Sequence, residues 1–246
     1  MSIDNPEQLA GLRRAGVVTR KVLEAMKAAV RPGISTRELD LIALEVMQAH
    51  GARSAPRLVY DFPGTTCISV NEEIVHGIPG ARVLVDGDLV KLDVTVELDG
   101  YMADACETVA VGYAGRAQRD LIGCATRAFF AGYAQVRPGA RAYDIGAAVQ
   151  GEVARSGFSV VRELTGHGIG RTIHEEPMIP NYREPRHSRM LTEGLVFTIE
   201  PLIAQGSGRM ITMRDGWTIR TRDRSLSAHF EHTVFVTASG AELLTA

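Results

Sequence analysis

The spacing of apolar residues changes period several times along the chain, and each change marks an element. From Asn5 onward Leu9, Leu12, Leu23 and Met26 recur at helical spacing until Pro32-Gly33, which predicts a helix capped by Asn5 with Pro6 in its first turn. A second helix is expected in "ISTRELDLIALEVMQAHG". There Leu39, Ile42, Ala43 and Val46 form one face, Ser35 and Glu38 have capping-box spacing, and Gly51 ends the run. The period then drops to two. "DLVKLDVTVELDGYMADACETVAV" alternates around Asp99-Gly100, a dipeptide that favours a two-residue hairpin turn. Pairing outward from that turn sets Leu98 opposite Tyr101, Thr95 opposite Asp104 and Asp93 opposite Cys106.

The helical pattern occurs twice. Arg31-Pro32-Gly33 returns 106 residues later as Arg137-Pro138-Gly139, and Gly51 returns as Gly157 at the same offset. Between these points Glu38 corresponds to Asp144, Leu39 to Ile145 and Met47 to Val153. A helical stretch, "DLIGCATRAFFAGYAQV", precedes the second copy, and strand-like alternation follows both. The expectation is a single domain, residues 1–246, built from two αα-then-β halves at about 5–112 and 113–246 and related by a pseudo-twofold axis. A site made by both halves would lie in a cleft between their sheets.

Composition narrows the function classes. The 246 residues carry a formal net charge of −2 and are 45% hydrophobic, enough apolar material for a sizeable core and no broad basic field for nucleic acid. The amino terminus lacks the order of a signal peptide, and no apolar run reaches the length of a membrane span. A cytoplasmic protein without nucleic-acid or membrane partners is expected. Cys67, Cys106 and Cys124 are too few and too scattered for a disulfide framework and read as reduced thiols.

The acids carry the chemistry. Strand alternation places Asp93 and Thr95 on one face, and cross-strand pairing adds Asp104 to it as a diagonal neighbour of Asp93. Two carboxylates that close repel and resist desolvation unless a cation lies between them. Glu200 in "GLVFTIEPLIA" and Glu231 in "SAHFEHTVFVT" sit in equally apolar, β-rich settings. A binuclear metal site accounts for all four. The glycine-rich stretch "ELTGHGIGRTIHEEP" reads as a loop shaped around something, and it carries His167 and His174. Four carboxylates and one imidazole suit Mn²⁺, Fe²⁺ or Co²⁺ and accept Zn²⁺. Water held between two such ions becomes a nucleophile near neutral pH, so the cluster points to hydrolysis.

With these residues assembled, "CISVNEEIVHGIP", "KLDVTVELDGYMADACET", "LTGHGIGRTIHEEP", "VFTIEPLI" and "DGWTIRTRDRSLSAHFEHT" resemble the type I bacterial methionine aminopeptidases over nearly the whole chain. The resemblance implies an α+β pita-bread fold with antiparallel sheets around a central metal cleft. It implies two divalent ions per chain (Co, Mn, Fe or Zn) on Asp93, Asp104, His167, Glu200 and Glu231. It further implies attack by a metal-bridging hydroxide on an amino-terminal methionine when the next residue is small. Glu200 would act as base and then acid, His174 would donate to the developing oxyanion, and His76 would contact the scissile amide or the following residue. Phe62, Cys67 and Trp217 would line the methionine pocket, and Thr95 would position a water or the amine. The partner is then the amino terminus of a peptide or nascent chain, any ribosome contact is transient, and the protein is a monomer.

Two departures from the family stand out. Its "Tyr-x-Gly-aromatic-Pro" segment reads "VYDFP", with Val59 at the tyrosine and Asp61 at the glycine, so Tyr60 is expected to compensate by a local shift. His229 stands where the family has glutamine. Prolidases and Xaa-Pro aminopeptidases share the fold and the ligands but carry a further amino-terminal domain, whereas this chain enters its first helix near residue 5. A non-catalytic binding protein of the same fold would be expected to have lost ligands, and all five are present.

Overall fold

In a computed structural model of the chain, residues 1–186 and 189–246 are described. The first helix, α1 (Pro6–Ala29), begins where the sequence places its cap, with Asn5 Oδ1 accepting from the Gln8 N–H at 3.0 Å. The second, α2 (Thr36–Ala49), carries the expected capping box. Ser35 Oγ accepts from the Glu38 N–H at 3.2 Å, and Glu38 Oε2 accepts from the Ser35 N–H at 2.8 Å. A short strand β1 (Arg53–Ser54) and the one-turn helix α3 (Ala55–Tyr60) lead to β2 (Cys67–Val70), β3 (Glu73–Val75) and the long hairpin β4 (Leu89–Leu98) and β5 (Tyr101–Ala110). Helices α4 (Arg116–Tyr133) and α5 (Ala142–Arg155) follow. The remaining strands are β6 (Ser159–Val160), β7 (Thr165–Gly168), β8 (Glu175–Pro180), β9 (Val196–Ile199), β10 (Leu202–Ala204), β11 (Met210–Thr212), β12 (Ile219–Thr221), β13 (Ser227–Thr237) and β14 (Gly240–Leu243).

The backbone of the two helical hairpins matches turn for turn. Gly33 and Gly139 have φ of 90° and 85°, and Gly51 and Gly157 have φ of 67° and 75°. The Gly33 N–H donates to the Leu84 carbonyl and the Gly139 N–H to the Leu191 carbonyl, both at 2.9 Å. Asp144 repeats the role of Glu38, accepting the Arg141 N–H at 2.9 Å.

One sheet runs β1-β4-β5-β13-β9-β7-β8, with β2 beside β4 and β10 and β14 beside β13. Helices cover one of its faces. Val90, Leu92, Val94 and Val96 of β4 pack with Val22, Leu39 and Met47, while Ala228, Val234 and Val236 of β13 pack with Phe129, Ile145 and Val149. Because side chains alternate along a strand, Asp93 and Thr95 of β4 and His229 and Glu231 of β13 turn to the opposite face.

Register lines these residues up. Cys67 lies opposite Asp93, Asp93 opposite Cys106, and Cys106 opposite Glu231, so the four form one row across the sheet. Thr95 and Asp104 pair in the adjacent row. The hairpin pairing matches the sequence expectation residue for residue, and both turn residues adopt positive φ, 53° at Asp99 and 81° at Gly100, as a two-residue hairpin turn of this type requires.

The "GHGIG" stretch departs from the expected loop. Thr165–Gly168 is a strand between β8 and β9. Its glycines serve close packing: a Cβ on Gly168 would press into the backbone carbonyls of Glu175 and Glu176. Glycine-rich composition here signals a strand squeezed by its neighbours.

Candidate metal centre and active site

All of the residues singled out in the sequence line one cavity of about 390 Å³: Phe62, Cys67, His76, Asp93, Thr95, Asp104, His167, His174, Glu200, Trp217 and Glu231. The candidate ligands and Thr95 arrive from several strands. Asp93, Thr95 and Asp104 come from the hairpin, His167 from β7, Glu200 from the residue after β9, and Glu231 from β13.

The donors fall into two groups. One atom each from Asp104, His167 and Glu231 lies within 4.8 Å of the others, and the same holds for Glu200, His229 and Glu231. Glu231 belongs to both. Asp93 lies outside these two groups but is the diagonal cross-strand neighbour of Asp104, whose charge acts on it.

The electrostatics follow from this crowding. Burial, and then the charges of Asp104 and Glu200, push the Asp93 carboxyl well above the carboxylate range. Burial raises Asp104 to about 6. Glu200 is raised by burial and by Asp104, and Glu231 by burial and by Asp104, Glu200 and Asp93. Burial depresses His167 to about 3 and His76 to about 4, with the His174 charge opposing protonation of both. These rings are neutral at pH 7 and their lone pairs are free to ligate. Lys91, two residues before Asp93, is not a counterion for the cluster: its Nζ donates to the carbonyls of Asn71 at 2.7 Å and Ser227 at 3.1 Å.

These residues fit a divalent metal centre. Asp104 Oδ1 and Glu231 Oε1 are buried without a hydrogen-bond partner, a state unfavourable for a carboxylate oxygen unless a cation takes it up. Oxygen donors with imidazole form a set for borderline first-row ions. Neighbouring side chains fix the donors in place. The Thr198 hydroxyl donates to Glu200 Oε1 at 3.0 Å and accepts the His167 N–H at 3.1 Å. Asn181 Nδ2 holds the Glu200 carbonyl at 2.8 Å, and Thr95 lies directly across the hairpin from Asp104.

The rest of the cavity is shaped for an apolar side chain. Phe62 and Trp217 meet edge to face with ring centroids 5.2 Å apart, and Pro56, Ile173 and Leu202 extend the wall. His76 closes β3 in the left-handed region, φ 58°, and that fixed bend aims its ring at the cavity. At the exposed rim, Tyr60 Oη and His174 Nδ1 are hydrogen-bonded at 2.6 Å, and the His174 and His167 rings are 4.3 Å apart.

The "VYDFP" departure resolves here. Val59 packs with Leu12, Ala55 and Met102, Tyr60 takes the cavity side, and Asp61 adopts φ 55° and ψ 33° at the end of α3. Aspartate tolerates that left-handed conformation, so the turn survives the loss of glycine. Sequence reading did not find Thr198 or Asn181, whose importance rests on long-range pairing. Pro56 and Ile173 carry no signal beyond being apolar.

The buried carboxyls and imidazoles of this cleft form the donor set of a metal-dependent protein. The description "Metallopeptidase family M24" matches residues 10–238. A methionine aminopeptidase of Clostridium perfringens is 42% identical over 99% of this chain and 98% of the relative. One of Escherichia coli K12 is 42% identical over 100% of this chain and 94% of the relative. The crystal structure of methionine aminopeptidase from Rickettsia prowazekii superposes with a TM-score of 0.96 at 40% identity, covering 100% of both chains. The prolidase of Pyrococcus furiosus aligns with a TM-score of 0.80 at 23% identity, over 99% of this chain and 65% of that one, a likeness of fold alone. The chain belongs to metallopeptidase family M24 and, within it, to the methionine aminopeptidases.

Proposed function

We propose that this chain removes amino-terminal methionine when the second residue is small, using two divalent ions held by Asp93, Asp104, His167, Glu200 and Glu231. The observation that carries this reading is the burial of four carboxyls and an imidazole around one cavity, with orphaned oxygens and an aromatic wall beside them. Bound divalent ions supply Lewis acidity, polarising a carbonyl and lowering the pKa of water. The protein residues do the rest. Phe62, Cys67 and Trp217 enclose the methionine side chain, whose thioether suits contact with aromatic edges. Glu200 takes the proton of the attacking water and returns it to the leaving amine. His174, with its Nδ1 engaged by the Tyr60 hydroxyl, donates from its other ring nitrogen to the oxyanion. His76 holds the peptide beyond the scissile bond, and Thr95 positions a water or the substrate amine.

The 1–246 chain acts as one catalytic domain, its halves at about 5–112 and 113–246 meeting at the metals, and as a cytoplasmic monomer. Among the described residues no helix is long and apolar enough to cross a membrane. The decisive test strips the protein of metal, restores Mn²⁺, Fe²⁺, Co²⁺ or Zn²⁺ separately, and measures release from Met-Ala-Ser, Met-Pro and Leu-Ala-Ser. Metal-dependent release confined to the methionine peptides is expected. Equal release of leucine overturns the pocket assignment, and no release with any ion overturns the reaction.

A further inference from the structure

Five donors make up the metal centre proposed above, yet the cluster contains a sixth. His229 is 1% exposed, precedes Glu231 by two residues on β13 and shares its face by strand alternation. Its backbone is pinned on both sides: the His229 N–H donates to Thr108 Oγ1, and the Thr108 hydroxyl donates to the His229 carbonyl, each at 2.8 Å. The ring has no such support. Neither Nδ1 nor Nε2 has a hydrogen-bond partner. Nε2 approaches Glu231 Oε2 at 3.2 Å without the alignment of a hydrogen bond, and a His229 nitrogen falls within 4.8 Å of both a Glu200 and a Glu231 oxygen.

A neutral imidazole presents one N–H and one lone pair, and burying both unpaired is unfavourable unless something else engages them. Here two carboxylates converge on the ring, and together the three groups are the partial shell of a cation. Resting on the metal centre of the preceding section, we propose that His229 is a nitrogen ligand to the ion beside Glu200 and Glu231. Each donor group then holds one imidazole, His167 in one and His229 in the other, with Glu231 common to both. Imidazole favours the later first-row ions, so this position prefers Co²⁺, Fe²⁺ or Zn²⁺ over Mn²⁺.

The test compares metal-free wild type with His229→Gln, which keeps a polar side chain of similar reach. Each is titrated with Co²⁺ by visible absorption and with Mn²⁺ by electron paramagnetic resonance, with circular dichroism as the folding check. One Co²⁺ equivalent is expected to weaken roughly tenfold or more in the variant, with a changed absorption band for that equivalent and a smaller change for Mn²⁺. Superimposable Co²⁺ isotherms and spectra overturn the assignment. X-ray absorption on Co²⁺-loaded wild type needs no variant: about one imidazole per ion supports His229 as a ligand, and about one half overturns it. A wild type that takes up no divalent ion overturns the whole centre, which separates that failure from the failure of His229 alone.

Discussion

The β4–β5 hairpin delivers Asp93, Thr95 and Asp104 across a two-residue turn, whereas His167, Glu200 and Glu231 arrive from three strands joined only by long-range pairing. The hairpin supplies oxygen alone; the later strands supply every imidazole in the donor groups and the one carboxylate that both groups share. The first route is local and its geometry follows from the turn. In the second, β13 must pair with β5 on one side and β9 on the other before any donor is in place. The difference implies that the centre is organised from β13 outward.

The sharpest way to break this comparison is to remove one carboxylate from each side. Glu231→Gln takes a donor from both groups and forfeits several kcal/mol of metal-derived stabilisation, an expected fall in kcat/KM of at least ~10³-fold. Metal analysis by mass spectrometry is expected to show both ions lost. Asp93→Asn, which removes a ligand lying outside both three-donor groups, is expected to weaken one ion and to lower kcat/KM by roughly 10²-fold, less than Glu231→Gln. Equal severity in the two variants would mean that the hairpin organises the centre as much as β13 does.

At the rim the two halves touch through Tyr60 and His174, and the contact sharpens the same question. His174→Ala is expected to cut kcat about 10²- to 10³-fold with a small change in KM, the pattern of a donor acting in the transition state. Tyr60→Phe leaves the ring in place and removes only the 2.6 Å hydrogen bond, worth about 0.5–1.5 kcal/mol and thus roughly a tenfold loss in kcat at most. A Tyr60→Phe variant as impaired as His174→Ala would assign the tyrosine a direct part in the reaction.

The same contrast explains what could be read from the sequence. Asn5, Ser35 with Glu38, and Asp99-Gly100 act over a few residues, so the helix starts and the hairpin register were legible from neighbours alone. The candidate acids were legible because charge in an apolar strand is costly without a partner. The strand at Thr165–Gly168 was not, because its glycines answer to the carbonyls of Glu175 and Glu176 and to Thr198, contacts that no local pattern encodes. The grouping of His229 with Glu200 and Glu231 was hidden for the same reason. It depends on β10 and β13 pairing Leu202 with His229.

Two glycine substitutions test whether the local and long-range routes differ in strength as well as in legibility. Gly168→Ala would drive a methyl group into two backbone carbonyls, which cannot yield as a flexible side chain can. An overpacking loss of about 1–3 kcal/mol is expected, and at this chain length each kcal/mol lowers Tm by roughly 2–4 °C. His167 would shift with its strand, so Co²⁺ affinity is expected to fall in parallel. Gly100→Ala meets only the end of the Arg171 side chain, 3.3 Å from the added Cβ. Its loss comes from holding alanine at φ 81° and is about 1 kcal/mol, visible as a small drop in Tm. Because ten residue pairs lock β4 to β5, the register of Asp93 and Asp104 is expected to hold and Co²⁺ affinity to stay within about twofold, under 0.5 kcal/mol. A large loss of metal affinity in Gly100→Ala would show that the turn, and not the strand pairing, sets the spacing of the hairpin carboxylates.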